Sequence, residues 1–85
     1  MTFKATIIVR RRPTILDPEG KAVQHALHSL DLRGLDQLRI GKLVEMTVAA
    51  DSAEAARTLV DEACRKLLAN PVMDDYEIAL QETDV

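Results

Sequence analysis

Apolar and polar residues alternate from Phe3 to Val9, which puts Phe3, Ala5, Ile7 and Val9 on one side. A period of two carried by β-branched residues predicts a strand. Pro13, after Arg10-Arg11-Arg12, has no N–H for a ladder, so the strand stops before it. Asp17-Pro18-Glu19 opens a helix. Asp17 caps the free N–H groups, Pro18 suits the first helical position, and Glu19 suits the positive end of the dipole. Val23, Ala26, Leu27 and Leu30 then recur at helical spacing and predict its buried face. Gly20, beside that face, costs up to about 1 kcal/mol of helix propensity relative to alanine. Close approach of a neighbouring backbone is the expected compensation.

Leu38-Arg39-Ile40 predicts a short second strand, and Gly41-Lys42 a turn or bulge. Val44, Met46 and Val48 alternate on a third strand. Asp51 or Ser52 caps a second helix, and Asp51 with Glu54 has capping-box spacing. The predicted buried stripe of this helix is Ala56, Leu59, Val60, Ala63, Cys64 and Leu67. Asn70-Pro71 ends it, Asn by tolerating a left-handed stop and Pro by forbidding continuation. Tyr76, Ile78 and Leu80 alternate on a last strand.

The order strand-helix-strand-strand-helix-strand predicts an α+β, ferredoxin-like domain over residues 1–85. Its expected form is a four-stranded antiparallel sheet with two helices on one face. The opposite sheet face then shows Lys4, Thr6, Ile8, Leu43, Glu45, Thr47, Glu77 and Ala79. A mixed, uncovered face of this kind suits a second copy, so a homodimer or homotetramer is expected.

Composition narrows the function. A chain of 85 residues is one small domain, without room for a deep cleft of its own. Phe3 and Tyr76 are the only aromatics, which argues against base-stacking and carbohydrate platforms. A net charge of −3 disfavours nucleic acid. One cysteine forms no internal disulfide, and no apolar run reaches the length of a membrane span. A cytoplasmic location is expected. Residues 1–42 carry eight Lys/Arg and four Asp/Glu, whereas residues 43–85 carry three and ten. Such a two-signed surface serves either solvation, or self-association or a partner.

Candidate chemistry is sparse. His25 and His28 lie at i, i+3, away from the predicted core side, and a metal would need further ligands. Cys64 falls on an apolar stripe with no base beside it and reads as a small buried hydrophobe. Asp61 and Glu62 are adjacent on a helix and do not face each other. No phosphate loop occurs; Gly41-Lys42 is an isolated dipeptide that opens no helix. Arg10-Arg11-Arg12 serves either solubility or an anionic partner. These residues support a small domain with no catalytic group and no metal site.

Three segments carry a resemblance. Ile15-Leu16-Asp17-Pro18-Glu19-Gly20-Lys21-Ala22-Val23, followed by Ala26-Leu27-His28-Ser29-Leu30, is similar to the "LDP-x-G-K-A-V" segment of the PurS family. Arg39-Ile40-Gly41-Lys42-Leu43-Val44-Glu45-Met46 resembles that family's "R-V-G-K-x-I-E-L" strand pair. Glu62 to Tyr76 resembles its "C-x-K-L-L-A-N-P-V-I-E-x-Y" ending. These segments lie between Ile15 and Tyr76, and the resemblance as a whole covers Phe3 to Leu80. Asp31 stands where the family commonly has glycine at the end of the first helix, with Gly34 three residues on, and Leu43 stands where an aromatic is common.

The resemblance implies a non-catalytic small subunit of phosphoribosylformylglycinamidine synthase in purine biosynthesis. In that complex the glutaminase PurQ releases ammonia, and the synthetase PurL uses ATP and magnesium to convert formylglycinamide ribonucleotide to the amidine. The small subunit bridges PurL and PurQ, assists ammonia transfer and binds no cofactor itself. The expected partner contacts are Asp17, Pro18, Gly20, Lys21, His28, Gly41 and Lys42, the turn and cap residues that carry the resemblance outside the core. The alternative is an ACT-like small-molecule regulatory domain, although the loop Arg12-Pro13-Thr14-Ile15 lacks the glycine such modules often have. An RNA-binding sheet of the same topology needs aromatics on its central strands, and Val44 to Val48 offers none.

Overall fold

In a computed structural model of the chain, strand β1 (Thr2–Arg11) lies between β2 (Lys42–Ala49) and β3 (Asp74–Thr83), antiparallel to both. The structure describes residues 1–83; positions 84 and 85 of the predicted single domain lie outside the described residues. Ile7 pairs with Val44 on one side and Ile78 on the other, so three apolar side chains meet on one face. Phe3, Ala5, Ile7, Val9 and Val48 are buried there, as the alternation predicts. Helix α2 (Ala53–Ala63) covers this face with Ala56 and Val60, and Cys64 and Ala69 complete the core. Ser52 caps α2 by accepting the Ala55 N–H at 3.0 Å.

The α2 stripe is narrower than the periodicity predicts. Leu59 is exposed, and Leu67 is 84% exposed. The cause at Leu67 is a π-helical turn, Cys64–Leu68, closed by the Ala69 N–H donating to the Cys64 carbonyl at 3.0 Å. The wider turn brings Leu68 rather than Leu67 against the core. Leu59 sits about 100° around the helix from the buried Val60, off the face that Ala56 and Val60 turn to the core. Asn70 ends the turn without a left-handed backbone, since Asp31 and Gln37 are the only non-glycine residues of positive φ among the described residues. Its side-chain oxygen accepts the N–H groups of Val72 and Met73 at 2.9 and 3.1 Å.

Two expectations fail together. Leu38-Arg39-Ile40 forms no strand, so the ferredoxin-like sheet has three strands rather than four. Helix α1 (Pro18–Ser29) buries only Gly20; Val23, Ala26 and Leu30 are exposed and Leu27 is half-buried. Instead of lying on the sheet, α1 pairs with the segment that returns from it, and the two form a projecting arm.

A terminal motif stops α1 where glycine is absent. The Leu32 N–H donates to the Leu27 carbonyl and the Asp31 N–H to the His28 carbonyl, each at 3.1 Å. Asp31 takes φ 68° to allow this, so Gly34 plays no part in the stop.

The arm makes the molecule long and thin, 51 × 28 × 14 Å, with a radius of gyration of 16.5 Å. A compact chain of this length has about 12 Å. The accessible surface is 6218 Å², about a quarter more than a compact monomer of this mass exposes.

Candidate docking site

The arm is joined to the sheet at Asp17. β1 ends before Pro13, and the chain turns to bring Asp17, in extended backbone conformation, to the start of α1. One carboxylate oxygen accepts the Gly20 N–H at 3.0 Å and caps the helix. The other accepts the Ile40 N–H at 2.8 Å. Asp17 is 4% exposed, and the Ile40 N–H foremost, then the Gly20 N–H, holds its carboxyl below the usual carboxylate range. The Arg39 and Arg11 guanidiniums act in the same direction.

Both flanking glycines are required by contact. A Cβ on Gly20 would lie 2.6 Å from Asp17 Oδ2 and 2.8 Å from the Leu38 carbonyl oxygen, the close backbone approach that its place in the helix implies. A Cβ on Gly41 would lie 2.5 Å from the Val9 carbonyl oxygen. Gly41 has no positive φ and forms no hairpin turn; it lets the returning chain cross the end of β1.

Further bonds bind the arm together. Gln24 accepts the Leu38 N–H at 2.8 Å and donates to Asp36 at 3.1 Å. The His28 ring donates through Nε2 to the Leu35 carbonyl at 2.6 Å. Arg39 donates to the carbonyls of Arg12 and Ile15, both at 2.8 Å. These bonds explain the missing strand: the N–H groups of Leu38 and Ile40 are taken by side chains of Gln24 and Asp17, so neither is free for a ladder.

Of the predicted contact residues, Asp17 and Gly20 are buried, and each is needed to place the arm. Pro18, Lys21, Gly41 and Lys42 are exposed, and His28 is half-buried against Leu35. The two motif segments, Asp17 to Lys21 and Arg39 to Lys42, are adjacent. Together with the end of β1 they line an open hollow of about 850 Å³. Gln24 and Asp36 belong to the same junction; nothing in their spacing marks them, because their partners are set by the fold alone.

The arginine run is tied to β3. Arg10 pairs with Glu77 at 2.9 Å, and Arg12 with Asp75 at 3.1 Å. Cys64 is buried, and burial, with the Asp61 carboxylate, pushes its thiol up. No group of three or more His, Cys, Asp or Glu is placed to hold a metal among the described residues. No helix among them is long and apolar enough to cross a membrane.

A thin sheet covered on one side, a projecting arm, and a junction of caps, glycines and cations define a small α+β interaction module. The sequence matches the family PurS: Phosphoribosylformylglycinamidine (FGAM) synthase over residues 4–82. It is 34% identical over 82 residues to the phosphoribosylformylglycinamidine synthase subunit PurS of Methanocaldococcus jannaschii, covering 96% of this chain and 99% of that one. The fold matches the solved PurS of Bacillus subtilis with a TM-score of 0.84 at 41% identity, over 94% of this chain and 99% of that chain. It matches a chain of the solved PurLQS of Thermotoga maritima with a TM-score of 0.86 at 33% identity, over 95% and 99%. The chain belongs to the PurS family.

Proposed function

We propose that this chain is the non-catalytic small subunit of a phosphoribosylformylglycinamidine synthase complex, joining a PurL synthetase to a PurQ glutaminase and assisting ammonia transfer. The match to a chain of the Thermotoga PurLQS structure over nearly the full length of both chains supports this most directly. PurQ hydrolyses glutamine to glutamate and ammonia. On PurL, the amide oxygen of formylglycinamide ribonucleotide takes the terminal phosphoryl group of ATP, releasing ADP. Ammonia then adds at that carbon, and phosphate leaves to give the amidine. ATP and magnesium serve PurL, and this chain binds no cofactor. Ammonia released into water at neutral pH is protonated and loses its nucleophilicity, so a docked, water-poor route has a physical purpose. The complex works in the cytoplasm.

The junction residues set this geometry. Asp17, Gly20 and Gly41 hold the arm, and in this reading Pro18, Lys21, His28 and Lys42 contact a partner enzyme. The sheet face of Lys4, Thr6, Ile8 and Leu43 meets a second copy in a homodimer or homotetramer. The large exposed surface of the single chain supports such assembly. The ACT-like alternative loses its support: such domains share the predicted four-stranded order, and this sheet has three strands.

The test is reconstitution with PurL and PurQ of the same source, following amidine formation with and without the chain. Dependence on the chain with glutamine, and little with added ammonia, is expected. Equal dependence on both would move its role to support of PurL. No dependence on either would remove the proposal.

A further inference from the structure

The hollow between the arm and the end of β1 has an unbalanced lining. Arg10, Arg11, Lys21, Arg39 and Lys42 face two carboxylates, Asp17 and Asp36. Both carboxylates are engaged. Asp17 takes two backbone N–H groups, and Asp36 accepts from Gln24 and from the Gln37 N–H at 2.8 Å. Among the cations, Arg10 pairs with Glu77, while Arg39 and Arg11 donate to backbone carbonyls. The ammonium groups of Lys21 and Lys42 have no partner among the described residues. Glu19 and Asp74 line a separate, smaller hollow beside Lys42.

Gln24 and Gln37 also line the larger hollow, and the rest, apart from Gly41, is aliphatic: Val9, Pro13, Leu38 and Ile40, with Ile8 and Leu43 where the hollow meets the sheet face assigned above to a second copy. No aromatic ring is present to stack on a base. The N–H groups of Gly20 and Ile40 are spent on Asp17 and are not free to cradle phosphate.

From this pairing of free ammonium groups with aliphatic walls, we propose that the hollow receives an acidic segment of a partner enzyme, one carrying carboxylates for Lys21 and Lys42 and an aliphatic side chain between them. This deepens the docking role proposed above and rests on it. The aliphatic lining supplies desolvated contact, and the two lysines steer approach and fix register, so association weakens as salt rises. Lys21 is carried by the arm and Lys42 opens β2, so an occupant bridges arm and sheet at the point where Asp17 joins them.

The test uses the full chain, the charge-reversed variant K21E/K42E and the charge-preserving variant K21R/K42R, with PurL and PurQ of the same source. Association with each enzyme is followed from about 0.05 to about 0.5 M salt, across which the Debye length shortens several-fold. Folding of each variant is checked by circular dichroism. Wild type should weaken steadily with salt. K21E/K42E should lose about tenfold or more at low salt and show a flatter salt dependence, and K21R/K42R should follow wild type. If K21E/K42E associates like wild type at every salt, the proposal falls while the docking role stands. If wild type associates with neither enzyme, both fall. If the variant instead loses self-association in sedimentation of the chain alone, the occupant is a second copy and the proposal is overturned. Stoichiometric calorimetric heat with ATP that K21E/K42E abolishes would also overturn it, in favour of a phosphate ligand.

Discussion

Oδ2 of Asp17 accepts the backbone N–H of Ile40 at 2.8 Å across 23 residues of sequence. This bond joins the start of α1 to the end of the returning segment, so the same carboxylate that caps a helix also holds the arm on the sheet. Replacing Asp17 with alanine therefore removes a cap and a tertiary bond. A fall in Tm of at least roughly 4–8 °C, the size expected from losing one cap in a domain of this length, should follow. Asp17→Asn keeps an acceptor but not the charge and should fall in between.

The same bonds fix a pH dependence. The Asp17 carboxyl is held below its ordinary value of 3.8 in the folded chain, chiefly by the Ile40 N–H. A depressed folded value means that the unfolded chain binds the proton more readily. The contribution of Asp17 is thus complete above 3.8 and disappears as pH falls through its lower folded value. The urea midpoint of wild type should exceed that of Asp17→Asn by a constant margin near neutrality, and the margin should close in acid. A margin that grew in acid would contradict the geometry.

The glycines make a matched set. Gly20→Ala places a Cβ 2.8 Å from the Leu38 carbonyl oxygen, and Gly41→Ala one 2.5 Å from the Val9 carbonyl oxygen, whereas Gly34→Ala meets nothing within 4 Å. The helix propensity gained at position 20 is at most about 1 kcal/mol. A clash with backbone oxygen outweighs it, because a carbonyl in a fixed segment cannot swing aside. Gly20→Ala and Gly41→Ala should lower Tm, and Gly34→Ala should leave it unchanged or raise it slightly. Thermal unfolding of the three variants checks this directly.

Asp31 carries the left-handed stop of α1 at φ 68°. Glycine takes that conformation without a Cβ penalty but gains freedom in the unfolded chain. Asp31→Gly should hold or raise stability by up to about 1 kcal/mol. Its ion pair with Arg33, 3.6 Å long and exposed, offsets little of this. A drop in Tm would show that the Asp31 side chain, not its backbone, makes the stop.

Two singular residues report on the core. Tyr76, the only tyrosine, donates its hydroxyl to Asp61 at 2.5 Å. That bond raises the phenol above its ordinary 10.0 and lowers the Asp61 carboxyl. The tyrosinate absorbance of the native chain should appear at higher pH than that of the unfolded chain, and Asp61→Asn should narrow the gap. Cys64, the only cysteine, is buried with a raised thiol. A disulfide reagent should therefore label it only as fast as the core opens. Rapid stoichiometric labelling of the native chain would place Cys64 outside the core.

The sequence alone determined which residues of β1, β2 and β3 share a face, where both helices begin, and which segments matter to the family. Strand alternation and caps are local patterns: Phe3 to Val9 present one apolar side whatever lies beyond, and Asp17 meets the Gly20 N–H within a single turn. Only the tertiary structure decided that α1 projects, that Leu38 to Ile40 is no strand, and that Leu67 faces outward while Leu68 faces in. Each of these turned on a backbone group whose partner is not written in its neighbourhood. The N–H groups of Leu38 and Ile40 went to side chains 14 and 23 residues away, and one π turn after Cys64 shifted the phase of the residues that follow. Periodicity shows which residues seek cover, but the backbone hydrogen bonds made across the fold decide which of them find it.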